Sequence, residues 1–185
     1  MYILALFGNL LIILTLPQSD LKHLSQCQNL CQLKHLNLSN SLFSGSSDTH
    51  LQVLIENTSD TLQTLKLSNY SMKDSELRDL LPALSQCSQL TTVNFYDDFS
   101  TAVLKKLVQG MTDPNNLTVE FYPAPLECYD PLGSVHVEEF SQLCLELQDI
   151  VFAKRQPKTI AFATRICPKC HRSCVYNMEI RLCQC

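Results

Sequence analysis

One hydrophobic frame recurs along the chain, and it constrains the fold more than any other feature. LKHLNLSN at residues 33–40 and LQTLKLSN at residues 62–69 share the pattern L-x-x-L-x-L-S-N. LTTVNFYD at 90–97 repeats the apolar positions as Leu90, Val93 and Phe95, and NLTVEFYP at 116–123 has Val119 and Phe121 at the corresponding places. The copies follow one another at nearly equal intervals, which predicts a protein built from repeated strand-and-helix units.

The spacing within each copy indicates how a unit is built. The last two apolar positions are separated by a single residue, so they point to the same side of a β-strand. The intervening segments have helical apolar spacing, and Asp48, Asp74 and Ser100 precede them as expected helix N-caps. Such units bury their apolar faces only by stacking on one another. The sequence therefore predicts an α/β leucine-rich-repeat solenoid, curved and with a helix in each long repeat.

We divide the chain into three regions. Residues 1–19 begin with the apolar run MYILALFGNLLIILTL, which is shorter than the roughly 20 residues of a membrane span and lacks the features of a cleaved signal. We interpret it as a partial repeat strand, with a vestigial signal-like segment as the alternative. Residues 20–135 are expected to hold the repeats. Residues 136–185 are expected to form a capping helix over 136–154, a short edge strand in RQPKTIAFAT, and a cysteine-rich tail.

Composition argues against a catalytic or nucleotide-dependent function. The four glycines lie far apart, whereas phosphate-binding loops need glycines at fixed, close spacing. The five histidines are scattered, and none adjoins a serine or cysteine in a recognisable nucleophile pattern. Repeat surfaces are usually binding surfaces. We therefore expect a protein that is not an enzyme, without a small-molecule substrate.

Charge is distributed unevenly along the chain. From Lys154 onward there are seven Lys/Arg residues and one acid, whereas the preceding part carries a net charge of −10. A basic tail of this kind is compatible with nucleic acid or an acidic partner. No aromatic residues interleave the charges as a stacking platform, so we interpret the tail as a solvated face.

Several segments follow one another in the order and wording of a known family. They are DLKHLSQC (20–27), QLKHLNLSN (32–40), TLQTLKL (61–67), LPALSQCSQLTT (81–92), YPAPLECYD (122–130), RQPKTI (155–160) and CPKC (167–170). From about Asp20 to Cys185 the chain resembles the C-terminal half of PRAME-family proteins, and it resembles a truncated or alternatively started member. The segment before Asp20 departs from the family pattern.

This resemblance implies an intracellular protein-binding adaptor, located in the cytoplasm or the nucleus. Family members resemble substrate-recognition subunits of cullin-RING ubiquitin ligases, and they are described as repressors of transcription, differentiation and apoptosis that promote proliferation. The implied partners are proteins, namely a ligase complex or transcriptional regulators, and a membrane is not expected. The ligase-docking segment of the family lies N-terminal to the region that this chain resembles.

The repeat frame also predicts which strand side chains face a partner. The third, fifth and seventh positions of each copy point away from the core, onto the concave surface of a solenoid. These positions are His35, Asn37, Ser39, Thr64, Lys66, Ser68, Thr92, Asn94, Tyr96, Thr118, Glu120 and Tyr122. Tyrosine is frequent in binding hot spots, so we expect the end with Tyr96, Glu120 and Tyr122 to carry the partner contact, with Lys66 and Asn94 beside it.

The tail CPKCHRSCVYNMEIRLCQC holds five of the ten cysteines. Cys167 and Cys170 form a C-x-x-C half-site, and Cys183 and Cys185 supply two further thiols, so together they could hold a structural zinc ion. Packed unliganded thiols and disulfides are the alternatives, although a reducing compartment disfavours disulfides. A zinc-stabilised, basic-tailed nucleic-acid or chromatin-binding repressor is the alternative function.

Overall fold

The computed structural model describes residues 10–13, 18–27, 32–39, 49–68, 72–111, 116–167, 169–177 and 179–181. The strands are β1 Leu10–Ile13, β2 Leu33–Asn37, β3 Thr64–Ser68, β4 Thr92–Tyr96, β5 Val119–Pro123, β6 Thr159–Ala163, β7 Val175–Asn177 and β8 Glu179–Arg181. The helices are α1 Gln18–Ser25, α2 Thr49–Thr58, α3 Asp74–Leu84, α4 Thr101–Gly110 and α5 Val137–Phe152, and a 3-10 turn covers Leu126–Cys128.

The described strands form one mixed sheet in which the order of the strands follows the order of the chain. β1 to β6 pair in parallel, and β7 and β8 add two antiparallel strands at the C-terminal edge. Each helix from α1 to α4 contacts the next helix along the chain. The predicted repeating strand-and-helix units are therefore confirmed as an α/β arrangement, and Leu36, Leu65 and Val93 occupy paired positions on β2, β3 and β4.

The core changes in character from one end of the sheet to the other. In β2 and β3 the buried strand residues are leucines, such as Leu36 and Leu65. Towards the C-terminal end aromatic rings replace them, and Tyr122 stacks between Phe95 and Phe162 with ring-centroid separations of 6.3 and 5.7 Å. Offset rings of this kind contribute packing energy beyond the area that they bury.

The helix starts agree only in part with the predicted caps. Ser100 is the N-cap of α4, where its hydroxyl accepts a hydrogen bond from the Val103 amide. Asp74 is the first residue of α3 and not its N-cap, so that prediction was wrong. Its carboxylate instead accepts hydrogen bonds from the amide and hydroxyl of Ser100 at 3.0 and 2.5 Å, which ties α3 to the start of the next repeat helix. Asp48 lies outside the described residues.

The two ends of the sheet also bear on the sequence predictions. β1 pairs in parallel with β2, which agrees with a repeat strand within the apolar start. The predicted helix is present as α5, but it connects parallel β5 and β6 and packs against α4, so it does not cap the end of the sheet. The strand predicted in RQPKTIAFAT is present as β6, but its predicted edge position is wrong, because β6 pairs with parallel β5 on one side and antiparallel β7 on the other. No helix in the part of the chain that the structure describes is long and apolar enough to cross a membrane.

The register of β5 differs from the predicted frame by one position. Val93 of β4 pairs with Glu120, and Asn94 pairs with Phe121. Because side chains alternate along a strand, a shift by one position exchanges the two faces. Glu120 and Tyr122 therefore point into the core, at 0% and 1% exposure, and their predicted place on the exposed face was wrong. Phe121, expected in the core, is 38% exposed.

A buried ion pair allows a glutamate to occupy this core position. Arg155, which follows α5, donates from Nε to Glu120 Oε1 and from Nη2 to Glu120 Oε2, both at 2.7 Å. Its Nη1 donates to the carbonyl of Val108 at the end of α4, and the Tyr122 hydroxyl donates to Glu120 Oε2 at 2.7 Å. Burial alone would lower the pKa of Arg155, but the hydrogen bonds and charge of Glu120 raise it overall. The charges are thus paired and hydrogen-bonded, as buried charges must be.

We expect Arg155→Met to lower the free energy of unfolding by about 3–5 kcal/mol, because it leaves the Glu120 carboxylate buried without its partner. Urea denaturation followed by circular dichroism measures this loss. Lys105→Gln is the control, since it breaks the exposed ion pair between Lys105 and Glu146, and such pairs contribute about 0–1 kcal/mol. Equal effects of the two substitutions would contradict the structural role of Arg155.

Several cysteines belong to this core. Cys87, Cys128 and Cys144 are buried, whereas Cys27 is exposed. Burial, reinforced by the charge of Asp60, raises the pKa of Cys87 to about 12. Burial also raises the pKa of Cys128 to about 12, and it raises the pKa of Cys144. Thiols in such surroundings stay protonated and inert.

We therefore expect iodoacetamide at pH 8 to modify Cys27 rapidly and the buried Cys87 and Cys128 only after unfolding in urea, as peptide mass mapping measures. The folded state also keeps thiol protons that the unfolded chain releases above the ordinary thiol pKa of 9.0. The stability that these protonated thiols contribute is thus fully present below pH 9, and it is lost as the pH rises towards 12. Rapid modification of Cys87 in the folded protein would contradict the conclusion that this thiol is buried and unreactive.

Candidate functional site

The face of the sheet opposite the core carries a regular panel of partly exposed side chains. Pairing across the sheet places Lys66 beside Asn94, and Asn94 beside Phe121. A second row runs through Thr64, Thr92, Val119 and Thr159. We call these two rows the open sheet face. Adjacent strands lie about 4.8 Å apart, so about 10 Å separates the backbones that carry Lys66 and Phe121.

The open sheet face includes some of the predicted partner-binding residues and excludes others. Lys66 and Asn94 lie on it, half-buried and on neighbouring strands. Tyr96 is also half-buried, at the end of β4, and its hydroxyl donates to the carbonyl of Thr164 at 2.7 Å. Glu120 and Tyr122 do not contribute, because their side chains belong to the buried ion pair and the aromatic stack.

Phe121 is the residue of this face that the sequence analysis missed. It is an exposed aromatic ring between Asn94 of β4 and Ala161 of β6, and Lys66 is the one charged side chain on the outward face of the described strands β3 to β6. A signal for it was present, because buried Leu117 occupies the place that buried Leu90 has in the preceding repeat, which fixes Glu120 and Tyr122 as the inward positions. An aromatic anchor beside polar groups is the usual composition of a protein-binding patch.

The polar part of the face is already organised by hydrogen bonds within the chain. His35 Nδ1 lies 3.0 Å from the hydroxyl of Thr64, which joins β2 to β3. The Asn37 side-chain oxygen accepts from both the amide and the hydroxyl of Ser39, at 3.0 and 2.6 Å. These side chains present fixed donors and acceptors, which suits recognition more than acid-base chemistry.

Three of the seven basic residues that follow α5 form hydrogen bonds within the chain. Arg155 is buried in its ion pair, Lys154 donates to the carbonyl of Gln109 at 2.7 Å, and Arg165 Nε donates to Asp98 at 2.7 Å. A phosphate-binding surface needs cations that are free to reach the ligand. Of these three, only Arg155 is buried, and it is therefore not available to a phosphate ligand.

Half of the predicted zinc site falls within the described residues. Cys167 and Cys170 are partly buried and flank a tight turn, in which the Cys167 amide donates to the carbonyl of Arg172 and the His171 amide donates to that of Cys167. His171 has a φ of 53°. Cys183 and Cys185 lie outside the described residues. Within the described ranges no three His, Cys, Asp or Glu side chains are grouped so that they could hold a metal ion.

A family model and individual relatives both identify the same protein family. The family model described as PRAME C-terminal domain matches residues 8–185. PRAME family member 20 of Homo sapiens is 43% identical over 171 residues, which are 92% of this chain and 36% of that protein. Oogenesin-3 of Mus musculus is 44% identical over 163 residues, which are 88% of this chain and 33% of that protein. No solved structure matches.

The chain spans about a third of the length of these curated relatives. The match nevertheless includes every described strand and helix, from β1 to β8. The predicted resemblance is therefore confirmed, and the chain belongs to the PRAME family, in the region of its C-terminal domain.

Proposed function

We propose that this chain is a non-enzymatic protein-binding module, built as a curved leucine-rich-repeat solenoid whose open sheet face holds the partner. The observation that carries the proposal is the exposed Phe121 ring, two strands away from Lys66. Each would contact a different part of one partner, Phe121 an apolar group and Lys66 an acidic one. Asn94 lies between them and supplies a polar contact.

The biological role that fits this module best is substrate recognition for a cullin-RING ubiquitin ligase. Family membership supports a leucine-rich protein without enzymatic activity, and a repeat surface of this kind suits the selection of a protein partner. Under this proposal the substrates are regulators of transcription, differentiation or apoptosis in the cytoplasm or nucleus, and their removal promotes proliferation. A version extended by the N-terminal part of the relatives tests ligase recruitment, with captured cullin as the readout.

We expect Phe121→Ser to reduce the retention of the specific partner by about tenfold or more, because a central aromatic anchor typically contributes about 2 kcal/mol or more to binding. The measurement is affinity capture from mammalian cell lysate with quantitative mass spectrometry. Lys66→Glu should lower the retention of the same protein, since it reverses the one charge on this part of the face.

Val53→Ser on α2 is the matched control, because Val53 is 38% exposed, as is Phe121, and lies on a helix instead of the sheet. It should leave capture unchanged. If Phe121→Ser and Val53→Ser reduce the retention of the partner equally, or if neither does, the partner binds elsewhere than on the open sheet face. If retention falls steeply with salt and depends on added nucleic acid, the alternative function is correct.

We further propose that Cys167 and Cys170 belong to a structural zinc site with Cys183 and Cys185. The turn supports the first half of the site, because the Cys167 carbonyl accepts from the His171 amide and Cys170 lies in the same turn. Four thiolates satisfy tetrahedral zinc. The ion would close the tail next to β7 and β8, at the C-terminal edge of the sheet.

Purified, reduced protein should then contain one zinc ion per chain by elemental analysis. Cys170→Ser should remove most of the zinc and lower the melting temperature, because a structural metal contributes directly to folding. Cys27→Ser, at an exposed cysteine far along the chain, should change neither value. Protein that is free of zinc when purified without chelator would rule out the site.

A further inference from the structure

The ends of three parallel strands enclose a cavity that adjoins the open sheet face, one outward position beyond Asn94 and Phe121. Its volume is about 210 Å³, and it is open to solvent. Tyr96, Asp97 and Asp98 line it from the end of β4, Tyr129 and Arg165 line it from the following loops, and the ends of β5 and β6 complete the lining. Nothing in the proposed function uses this cavity.

A cationic side chain of the protein itself, that of Arg165, already occupies part of this cavity. The guanidinium carbon of Arg165 lies 4.6 Å from the centroid of the Tyr129 ring, and Nε of Arg165 donates to Asp98 Oδ1 at 2.7 Å. An aromatic face combined with a carboxylate is the arrangement that proteins use to recognise guanidinium and ammonium groups. Both members of this ion pair are about half exposed, at 47% and 51%, so the pair is weak and opens readily.

The other lining residues favour a positively charged ligand. Asp97 adds a second carboxylate, so the ionisable groups around the cavity carry one net negative charge. Tyr96 adds a second ring, which is held in place because its hydroxyl donates to the carbonyl of Thr164. A preorganised wall of this kind costs little entropy on binding.

An exposed apolar side chain belongs to a hydrogen-bonded loop that borders the cavity. Leu132 is 92% exposed. Oδ1 of Asp130 accepts from the amides of Leu132 and Ser134, both at 2.8 Å, and the Gly133 amide donates to the carbonyl of Asp130. The Ser134 amide, followed by that of Leu132, lowers the pKa of Asp130. A Cβ placed on Gly133, where φ is +82°, would lie 3.9 Å from Nη1 of Arg165, so this loop borders the cavity.

We propose that this cavity and its rim form a second docking site, for a protein segment that carries an arginine or lysine next to an apolar residue. The basic side chain enters the cavity and takes the place of Arg165 against Tyr129 and Asp98. The apolar neighbour packs on Leu132, and exposed Ile166, directly after Arg165 in the chain, extends the apolar rim. Arg165 acts as an internal competitor that keeps the affinity low.

The test follows the binding of four peptide probes to the whole 15N-labelled chain by NMR. The probes are acetyl-Gly-Leu-Arg-Gly amide, two analogues that carry citrulline or glutamate in place of arginine, and one that carries glycine in place of leucine. The arginine peptide should bind about fivefold or more tightly than the neutral citrulline peptide, as expected for a cation-selective pocket. In Arg165→Gln its affinity should rise about threefold or more, because the competing side chain is removed.

Three controls locate the binding. Lys105→Gln breaks another exposed ion pair of the chain and should not change the affinity. Leu132→Ser should weaken the arginine peptide but not a version with glycine in place of leucine. Phe121→Ser should leave all probes unaffected, which separates this site from the open sheet face.

Three outcomes would overturn the proposal. Equal binding of the arginine and citrulline peptides would show that the cavity does not select charge. An affinity that Arg165→Gln leaves unchanged would place the peptide elsewhere on the chain. Preferred binding of the glutamate peptide that is lost in Arg165→Gln would make the cavity an anion site built on Arg165.

Discussion

The buried contact between Glu120 and Arg155 determines which residues the C-terminal half of the sheet presents. It fixes β5 with Glu120 and Tyr122 inward, and consequently with Phe121 outward. Arg155 also hydrogen-bonds to the end of α4, so one guanidinium joins a strand, a repeat helix and the segment that leaves α5. A hydrophobic residue at position 120 would need no such partner. The ion pair therefore makes the position of α5 and the register of β5 depend on each other.

Sequence patterns predicted the repeats well where many positions agreed. The repeat frames of β2, β3 and β4 share one leucine or valine position, whose residues pair across the sheet in the core, and a helix follows each of these strands. In β5 the apolar residues Val119 and Phe121 alternate with Glu120, so hydrophobicity alone selects the wrong face. The compensating Arg155 lies far along the chain, beyond α5, and no local pattern connects it with Glu120.

The same reasoning explains why the site was predicted only in part. Lys66 and Asn94 were identified because polar residues between buried apolar ones must face outward on a half-buried strand. Phe121 was missed, since an aromatic residue in a strand is usually assigned to the core. The hydrogen bond from Tyr96 to Thr164 joins two distant parts of the chain, and such a contact depends on how β4 and the segment after β6 meet in three dimensions.

Tyr96 links the two surfaces of the protein. It ends the strand that carries Asn94 on the open sheet face, and its ring lines the cavity next to Asp98. Its hydroxyl holds the segment that carries Arg165, the residue that occupies the cation position. A partner chain that crosses from the open sheet face to the cavity would form the second contact intramolecularly, at an effective concentration far above that of a free peptide. Two individually weak contacts on one rigid sheet would then give the selectivity that neither provides alone. A competitor would need an apolar and an acidic group for the open sheet face and a basic side chain for the cavity, in the same order.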